Sequence, residues 1–278
     1  MSLNILLRSF TFVILMISGC QLHPPIKNEI RIKGSDTMHI LTGRLAASFM
    51  KENPGYFVLN EGGGSLLGIK ALIKGEVDLC AASRTLKADE IKSLAENFDV
   101  VGISHLIAKD ALSIYVNQEN KVKDLSLNQI KKIFSGEITD WSEVGGEEGK
   151  ISVIIRSPNS GTHYYFYEHI LEEENYAQES IIRNTTEDVL QEIRNDKFAI
   201  GYGGIGYARD VPHISVNGIE ATLENVQNDK YPITRYLYFY TLNTADGITK
   251  KFLDWVISPS GQQVVKESGY IPLWRSGR

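Results

Sequence analysis

Gly34-Ser35-Asp36-Thr37-Met38 is the stretch on which the fold turns. Before it, Glu29 to Lys33 alternates charged and apolar residues, the period of a strand. After it, Ile40 to Glu52 places Leu41, Leu45, Ala46 and Phe49 near one helical face, and Asn53-Pro54-Gly55 ends the run. A strand that passes straight into a helix opens a βα unit, and the pattern repeats. Tyr56 to Asn60 reads as a strand. Ser65 is expected to cap a helix carrying Ile69, Leu72 and Ile73, with Gly75 past its end. Val77 to Ala82 is strand-like, Asp89 to Glu96 helical, and Val100 to Ala108 and Ala111 to Asn117 are two apolar runs. This alternation predicts a largely parallel sheet covered by helices.

A second block starts at Ser126. Ser126 to Phe134 is an amphipathic helix, Gly136 to Gly149 a loop, and Lys150 to Arg156 a strand. Thr162 to Leu171 is an aromatic-rich helix, Val189 to Arg194 a helix, and Ala199 to Tyr207 a strand. Tyr236 to Thr241, Thr249 to Ile257 and Gly261 to Ser268 form a short strand-helix-helix piece, too small for its own core. The fold expected is α/β and two-lobed, each lobe a mixed, mainly parallel sheet flanked by helices. Lobe 1 takes residues 29–110 plus 236–278 and lobe 2 residues 111–235, with a ligand cleft between them at the carboxyl ends of the strands.

Three turns in this pattern share a chemistry. They are Gly34-Ser35-Asp36-Thr37-Met38, Gly62-Gly63-Gly64-Ser65, and Arg156-Ser157-Pro158-Asn159-Ser160-Gly161-Thr162. A helix start carries unpaired N–H groups and about half a positive charge. Glycine admits a ligand close to the backbone, and Ser or Thr adds hydroxyl donors. Singly, the first turn reads as an N-cap and the second as a tight loop. Together, with an arginine beside the third, they suggest a cradle for a small oxyanion.

Other readings carry less. Gly201-Tyr202-Gly203-Gly204-Ile205-Gly206 matches G-x-G-x-x-G, but Ala208 to Pro212 follows it instead of a long helix, so a dinucleotide site is not expected. The six histidines show no zinc-type pairing, and Ser160 lacks a G-x-S-x-G frame, so neither metal, cofactor nor catalytic residue is expected. The net charge of −5 argues against a nucleic-acid partner. Of two cysteines, Cys80 lies in a buried-strand pattern and is expected to be a free thiol.

The first nineteen residues read as a signal: Arg8 gives a positive start, Phe10 to Ile17 an apolar run, and Ile17-Ser18-Gly19-Cys20 a small-residue site ending in cysteine. This resembles the bacterial lipoprotein box, which implies a lipidated Cys20 as the first mature residue. Residues 20–28, with two prolines, suit a tether.

The order of motifs resembles that of the phosphate-binding proteins of bacterial phosphate ABC importers. Gly34-Ser35-Asp36-Thr37 is followed by Gly64-Ser65 with Gly68-Ile69-Lys70, then Gly75-Glu76-Val77-Asp78 through Ala82-Ser83-Arg84, then Arg156 with Asn159-Ser160-Gly161-Thr162. The stretch Ile130 to Trp141 also matches. The resemblance implies an extracytoplasmic receptor in the periplasm or at the cell surface. It would be held by its lipid anchor, be monomeric, and pass inorganic phosphate to membrane permease subunits. It implies ligands from Ser35, Thr37, Met38, Ser65 and Ser83 on one side and Arg156, Ser160, Gly161 and Thr162 on the other. One position departs: many family members have an aspartate where this chain has Ser83. A carboxylate accepts the proton that phosphate carries and sulfate lacks; serine does so weakly and repels sulfate less, so this chain is expected to discriminate against sulfate less than a carboxylate-bearing relative, with Asp36 or a backbone carbonyl as the acceptor if sulfate is nevertheless excluded. A receptor for sulfate or molybdate, and a secreted phosphatase, remain open at this point. Arg84 reads either as added charge at the site or as a surface strand end.

The lipid-anchor reading has a direct check. Cys20→Ser is expected to release the processed protein from the membrane fraction without changing ligand affinity. Fractionation that still finds the variant in membranes, with its signal removed, contradicts it.

Overall fold

The computed structural model describes residues 28–274. The expected signal segment, Cys20 and the tether as far as Lys27 lie outside the described residues. Among those described, no helix is long and apolar enough to cross a membrane.

The chain runs β1 (Glu29–Gly34), α1 (Asp36–Glu52), β2 (Phe57–Glu61), α2 (Ser65–Ile73), β3 (Leu79–Ala82), α3 (Ala88–Phe98) and then one long strand, β4 (Ile103–Val116). The second block holds β5 (Asp124–Leu125), α4 (Leu127–Ser135), β6 (Ser152–Arg156), α5 (Gly161–His169), β7 (Ile181–Arg183), α6 (Thr186–Asn195), β8 (Ala199–Gly204), β9 (His213–Val216) and α7 (Leu223–Gln227). The chain then returns through β10 (Thr234–Thr241), α8 (Gly247–Val256) and α9 (Pro259–Glu267).

The strand order is β2-β1-β3-β10-β4-β8-β6-β7, with β9 against β4 and β5 against β9. β1 is parallel to both β2 and β3, and β6 is parallel to both β7 and β8, as the βα alternation predicts. The antiparallel members are β4 and β10, which link the two parallel groups. The α/β architecture expected from the sequence is the one observed.

Two large apolar clusters lie along these strands. One takes Ile30, Leu41, Leu45, Phe49, Leu79 and, from the return segment, Phe239, Phe252 and Val265. α8 and α9 therefore pack on α1 and β1, which supplies the core that the C-terminal piece lacks by itself. The other takes Leu112, Ile130, Phe134, Trp141, Phe166, Ile200 and Tyr202. On β4 the first cluster ends at Ala108 and the second begins at Ala111; the second includes Ile233, just before β10, and the first resumes on β10 at Leu237.

Between these points both strands carry buried charge. Arg235 donates from Nε and Nη2 to Asp110 Oδ2 at 3.0 and 2.9 Å, and Ile205 N donates to Asp110 Oδ1 at 3.2 Å. Lys109 is also buried and pairs with Asp229. These partners explain why Val100–Ala108 and Ala111–Asn117 are a single strand, although Lys109-Asp110 reads as a break. The other boundary changes are local: α1 starts four residues before Ile40, because Thr37 and Met38 are inward-facing helix residues. Ser65 is the first residue of α2, with Gly64 at the cap.

Asp110→Ala strands the Arg235 guanidinium in the interior, a change that typically costs about 3–5 kcal/mol. Urea unfolding is expected to show a loss of this order. The double variant Asp110→Leu, Arg235→Met should lose clearly less, because it buries no orphaned charge.

Candidate oxyanion site

The first turn is positioned by the sheet. Ser35 N donates to Ala81 O at 2.8 Å and Gly64 N to Gly34 O at 2.9 Å, so the ends of β1 and β3 and the start of α2 meet at one point. Ser35 occupies the N-cap position of α1, yet its hydroxyl makes no cap bond. It donates instead to Ser83 Oγ at 3.1 Å. Ser65 Oγ lies 3.3 Å from Ser83 Oγ and accepts from Ser83 N at 3.1 Å. All three serines are buried. A cap reading of Ser35 fails on this geometry: the hydroxyls gather with one another rather than on their own helix ends.

The third turn faces this cluster. Thr162 Oγ1 is 2.7 Å from Thr37 Oγ1, and Leu66 N donates to Asn159 O at 3.1 Å. Two glycines permit the approach. A Cβ on Gly161 would stand 2.3 Å from Ser65 Oγ and 2.6 Å from Ser83 Oγ. Gly64 has φ of +103°, and a Cβ there would lie 2.4 Å from Asn159 O. Ser160 does cap its helix, accepting from Thr162 N at 3.1 Å. Its hydroxyl proton is left to donate elsewhere.

Arg156 ends β6 at 1 % exposure. Its Nη1 donates to Thr186 Oγ1 at 2.6 Å and its Nη2 to Asn184 O at 2.8 Å. Nη2 also lies 3.1 Å from Asp36 Oδ2. Asp36 Oδ2 in turn accepts from Thr186 N at 2.9 Å and from Thr186 Oγ1 at 3.3 Å. Arg156 Nε is buried and makes no hydrogen bond. Burial pulls the guanidinium below its ordinary pKa and Asp36 opposes that shift, while arginine remains charged. His163, one turn into α5, is lowered by burial and bonds Arg156 O through Nδ1 at 2.7 Å. It is neutral at pH 7.

The structure thus brings together Ser35, Thr37, Ser65 and Ser83 with Ser160, Gly161 and Thr162, and places Arg156 beside them through Asp36. Met38 is the exception in kind. Its side chain is core, and its N–H already points to Ser35 O at 3.1 Å. Arg84 is excluded from the cluster: Glu90 holds it from both guanidinium nitrogens, at 2.8 and 2.6 Å, and it lies over the Tyr164 ring. Sequence reading missed Thr186. A signal was present, since Asn184-Thr185-Thr186 is a fourth Thr-rich helix start with a capping box. Among the described residues no group of His, Cys, Asp or Glu is arranged to hold a metal. Cys80 is free and buried, with burial pushing its thiol far up, so it is inert.

Buried hydroxyls, two helix starts and an arginine with a spare N–H make a donor-rich enclosure suited to a small tetrahedral anion.

Known proteins share this arrangement of sequence and fold. Residues 21–260 match the PBP superfamily domain. The phosphate-binding protein PstS of Bacillus subtilis is 33 % identical over 249 residues, covering 88 % of this chain and 81 % of that protein. PstS of Pseudomonas aeruginosa is 30 % identical, covering 89 % of this chain and 84 % of that protein. Among solved structures, a phosphate ABC transporter substrate-binding protein with bound phosphate from Clostridium perfringens superposes with a TM-score of 0.83 at 30 % identity, covering 89 % of this chain and all of that one. An ABC-type phosphate transport receptor from Vibrio cholerae superposes with a TM-score of 0.72 at 29 % identity, covering 88 % of this chain and 99 % of that one. By sequence and by fold, the chain belongs to the PBP superfamily and, within it, to the PstS family of phosphate-binding proteins.

Proposed function

We propose that this protein is an extracytoplasmic receptor that binds inorganic phosphate and delivers it to the permease of an ABC importer. The observation that carries this reading is the buried, unpartnered Nε of Arg156, together with the clustered hydroxyls of Ser35, Ser83 and Ser65 and the Thr37–Thr162 hydroxyl pair that joins the two sides. Ser35, Thr37, Ser65 and Ser83 are the ligand residues on one lobe, and Arg156, Ser160, Gly161 and Thr162 those on the other; Met38 is left out, because its N–H is taken by Ser35 O. The lobes divide at the charged crossing: 29–110 with 236–278, and 111–235. Cys20 carries a lipid that holds the monomeric receptor at the membrane. The protein binds and releases its ligand and makes or breaks no bond in it.

The energetics suit capture. Each charge-assisted hydrogen bond in a desolvated site contributes about 1.5–3 kcal/mol, before ordering costs. The donors come from two cores that the crossing strands β4 and β10 join, so a ligand that touches both stabilises the closed pairing.

Two measurements test the reading. Phosphate should raise the melting temperature of protein first stripped of anions. At about a thousand times the Kd it adds about 4 kcal/mol to the native state. Millimolar phosphate that leaves the transition unmoved contradicts the assignment. In calorimetry, Arg156→Ala should weaken phosphate binding by about 2–5 kcal/mol, the range for truncating a buried charge pair. Arg156→Lys should recover only part, because it lacks the planar fork. Arg84→Ala should cost less than Arg156→Ala, since Glu90 already occupies that guanidinium. The reverse ranking would show that the ligand residues have been misassigned.

A further inference from the structure

The two sides of the molecule also meet outside the hydroxyl cluster. On lobe 1, the chain passes from Ser83 through Arg84 to Lys87, which takes the cap position of α3. On lobe 2, α5 passes from Thr162 to Tyr164. Lys87 Nζ lies over the Tyr164 ring, 3.4 Å from its centroid. The Arg84 guanidinium carbon lies over the same ring at 5.3 Å. The ring of one lobe thus receives two cations of the other.

Each half of this contact is fixed from behind. Glu90 binds Arg84 through both carboxylate oxygens, at 2.8 and 2.6 Å, and its Oε2 also accepts from Lys87 N at 2.8 Å. One buried carboxylate therefore neutralises Arg84 and pins the backbone that carries Lys87. The Lys87 ammonium is the cation that meets the ring at close range. On the other side, Tyr164 stands between Thr162, paired with Thr37, and Tyr165, bonded to Thr234 O, so α5 is held on both sides of it. Lys87 and Tyr164 are both half-buried. A cation–π contact is worth more there than on open surface, because less water competes for the ammonium.

From this arrangement we propose that Lys87 and Tyr164 form a clasp between the lobes, beside the anion turns, that holds the closed form together and slows release of the ligand by acting on each other rather than on the anion. The inference rests on the phosphate-receptor reading and adds to it two residues outside the ligand set. Their partners lie on different lobes, so the contact contributes only to the closed form and shifts the balance of open and closed by its full strength. A receptor that delivers its ligand has to let go of it. A contact of moderate strength outside the ligand set adjusts that release without altering which anion is chosen.

The test uses the mature protein freed of anions, with phosphate as the ligand, calorimetry for affinity and stopped-flow tryptophan fluorescence for release. Lys87→Met keeps the length of the side chain and removes its charge. It should weaken phosphate by about two- to thirtyfold, the factor for a cation–π contact between the exposed and the desolvated limit. The loss should lie in faster release, with capture unchanged. Tyr164→Leu should lose at least as much, since Arg84 shares the ring, whereas Tyr164→Phe keeps the ring and should behave as wild type. The double variant Lys87→Met, Tyr164→Leu should bind no more weakly than Tyr164→Leu alone, because the pair acts as a unit. Additive losses overturn the proposal, since Lys87 would then act on the anion through its field and Tyr164 through packing. Tyr164→Phe as weak as Tyr164→Leu overturns it too. Lys87→Met that releases phosphate at the wild-type rate overturns it with Tyr164 untouched, so a misfolded Tyr164→Leu does not protect it. Wild-type protein that fails to bind phosphate overturns the receptor reading and the clasp with it. Wild-type protein that binds phosphate, with variants that match it, keeps the receptor and removes the clasp.

Discussion

A guanidinium taken out of water has to be compensated, and the burial of Arg156 sets the terms for everything around it. The compensation is drawn from elements distant in sequence. Asp36 comes from the first turn of α1, Thr186 from the first turn of α6, and Asn184 O from the loop before it. Asp36 itself is received by the N-terminus of α6, where the free N–H of Thr186 and the helix dipole both favour a negative charge. The ion pair therefore does two things. It makes burial of Arg156 tolerable, and it ties the helix that begins the first core to a helix that packs in the second block. Tyr207 adds to the same tie, with its hydroxyl donating to Asp36 O at 2.9 Å.

The charged crossing of β4 and β10 stands behind this contact. Arg235 lies over the Tyr165 ring, and the Tyr165 hydroxyl donates to Thr234 O at 2.8 Å. Tyr165 belongs to α5, the helix whose start carries Ser160, Gly161 and Thr162. Thr37, on the opposing side, has its carbonyl held by the Tyr270 hydroxyl at 2.5 Å. Each half of the site is thus braced by a tyrosine against the strands or the tail that join the two cores. Aromatic residues near the anion turn serve here as struts: Phe166 packs on Phe134 and Tyr202 in the second core, while Tyr165 reaches to the crossing.

Most of the fold was legible because its signals are local. The βα alternation, the apolar face of Ser126 to Phe134 and the Asn53-Pro54-Gly55 stop after α1 each act within a few residues. What was not legible depends on partners far away. Lys109-Asp110 interrupts the apolar pattern and divides it into two runs; Asp229 and Arg235, more than a hundred residues on, make those charges compatible with a central strand. The same reason hid one member of the site. Ser35, Ser65, Arg156 and the Ser160 turn stand out by composition and motif order. Thr186 becomes significant only once the fold brings α6 against α1. Arg84 stayed open between site charge and surface strand end, because Glu90, six residues later, could not be assigned as its partner from sequence.

The protein is acidic overall, yet its enclosed site is rich in donors, and the two facts are compatible because a site of this kind works by contact. Hydroxyls and helix starts act over a few ångströms, and removal of water makes each worth more than it would be at the surface. That requirement explains the glycines better than any need for flexibility. A methyl group at Gly161 would stand inside the hydroxyl pair of Ser65 and Ser83, and one at Gly64 would strike Asn159 O, the acceptor that joins the second and third turns. Either would hold the two sides apart by enough to admit water. Once wet, the serines would bond to solvent and Arg156 would lose the low-dielectric setting that strengthens its pairing. Close approach of backbone to backbone is therefore the condition on which the chemistry of the side chains rests.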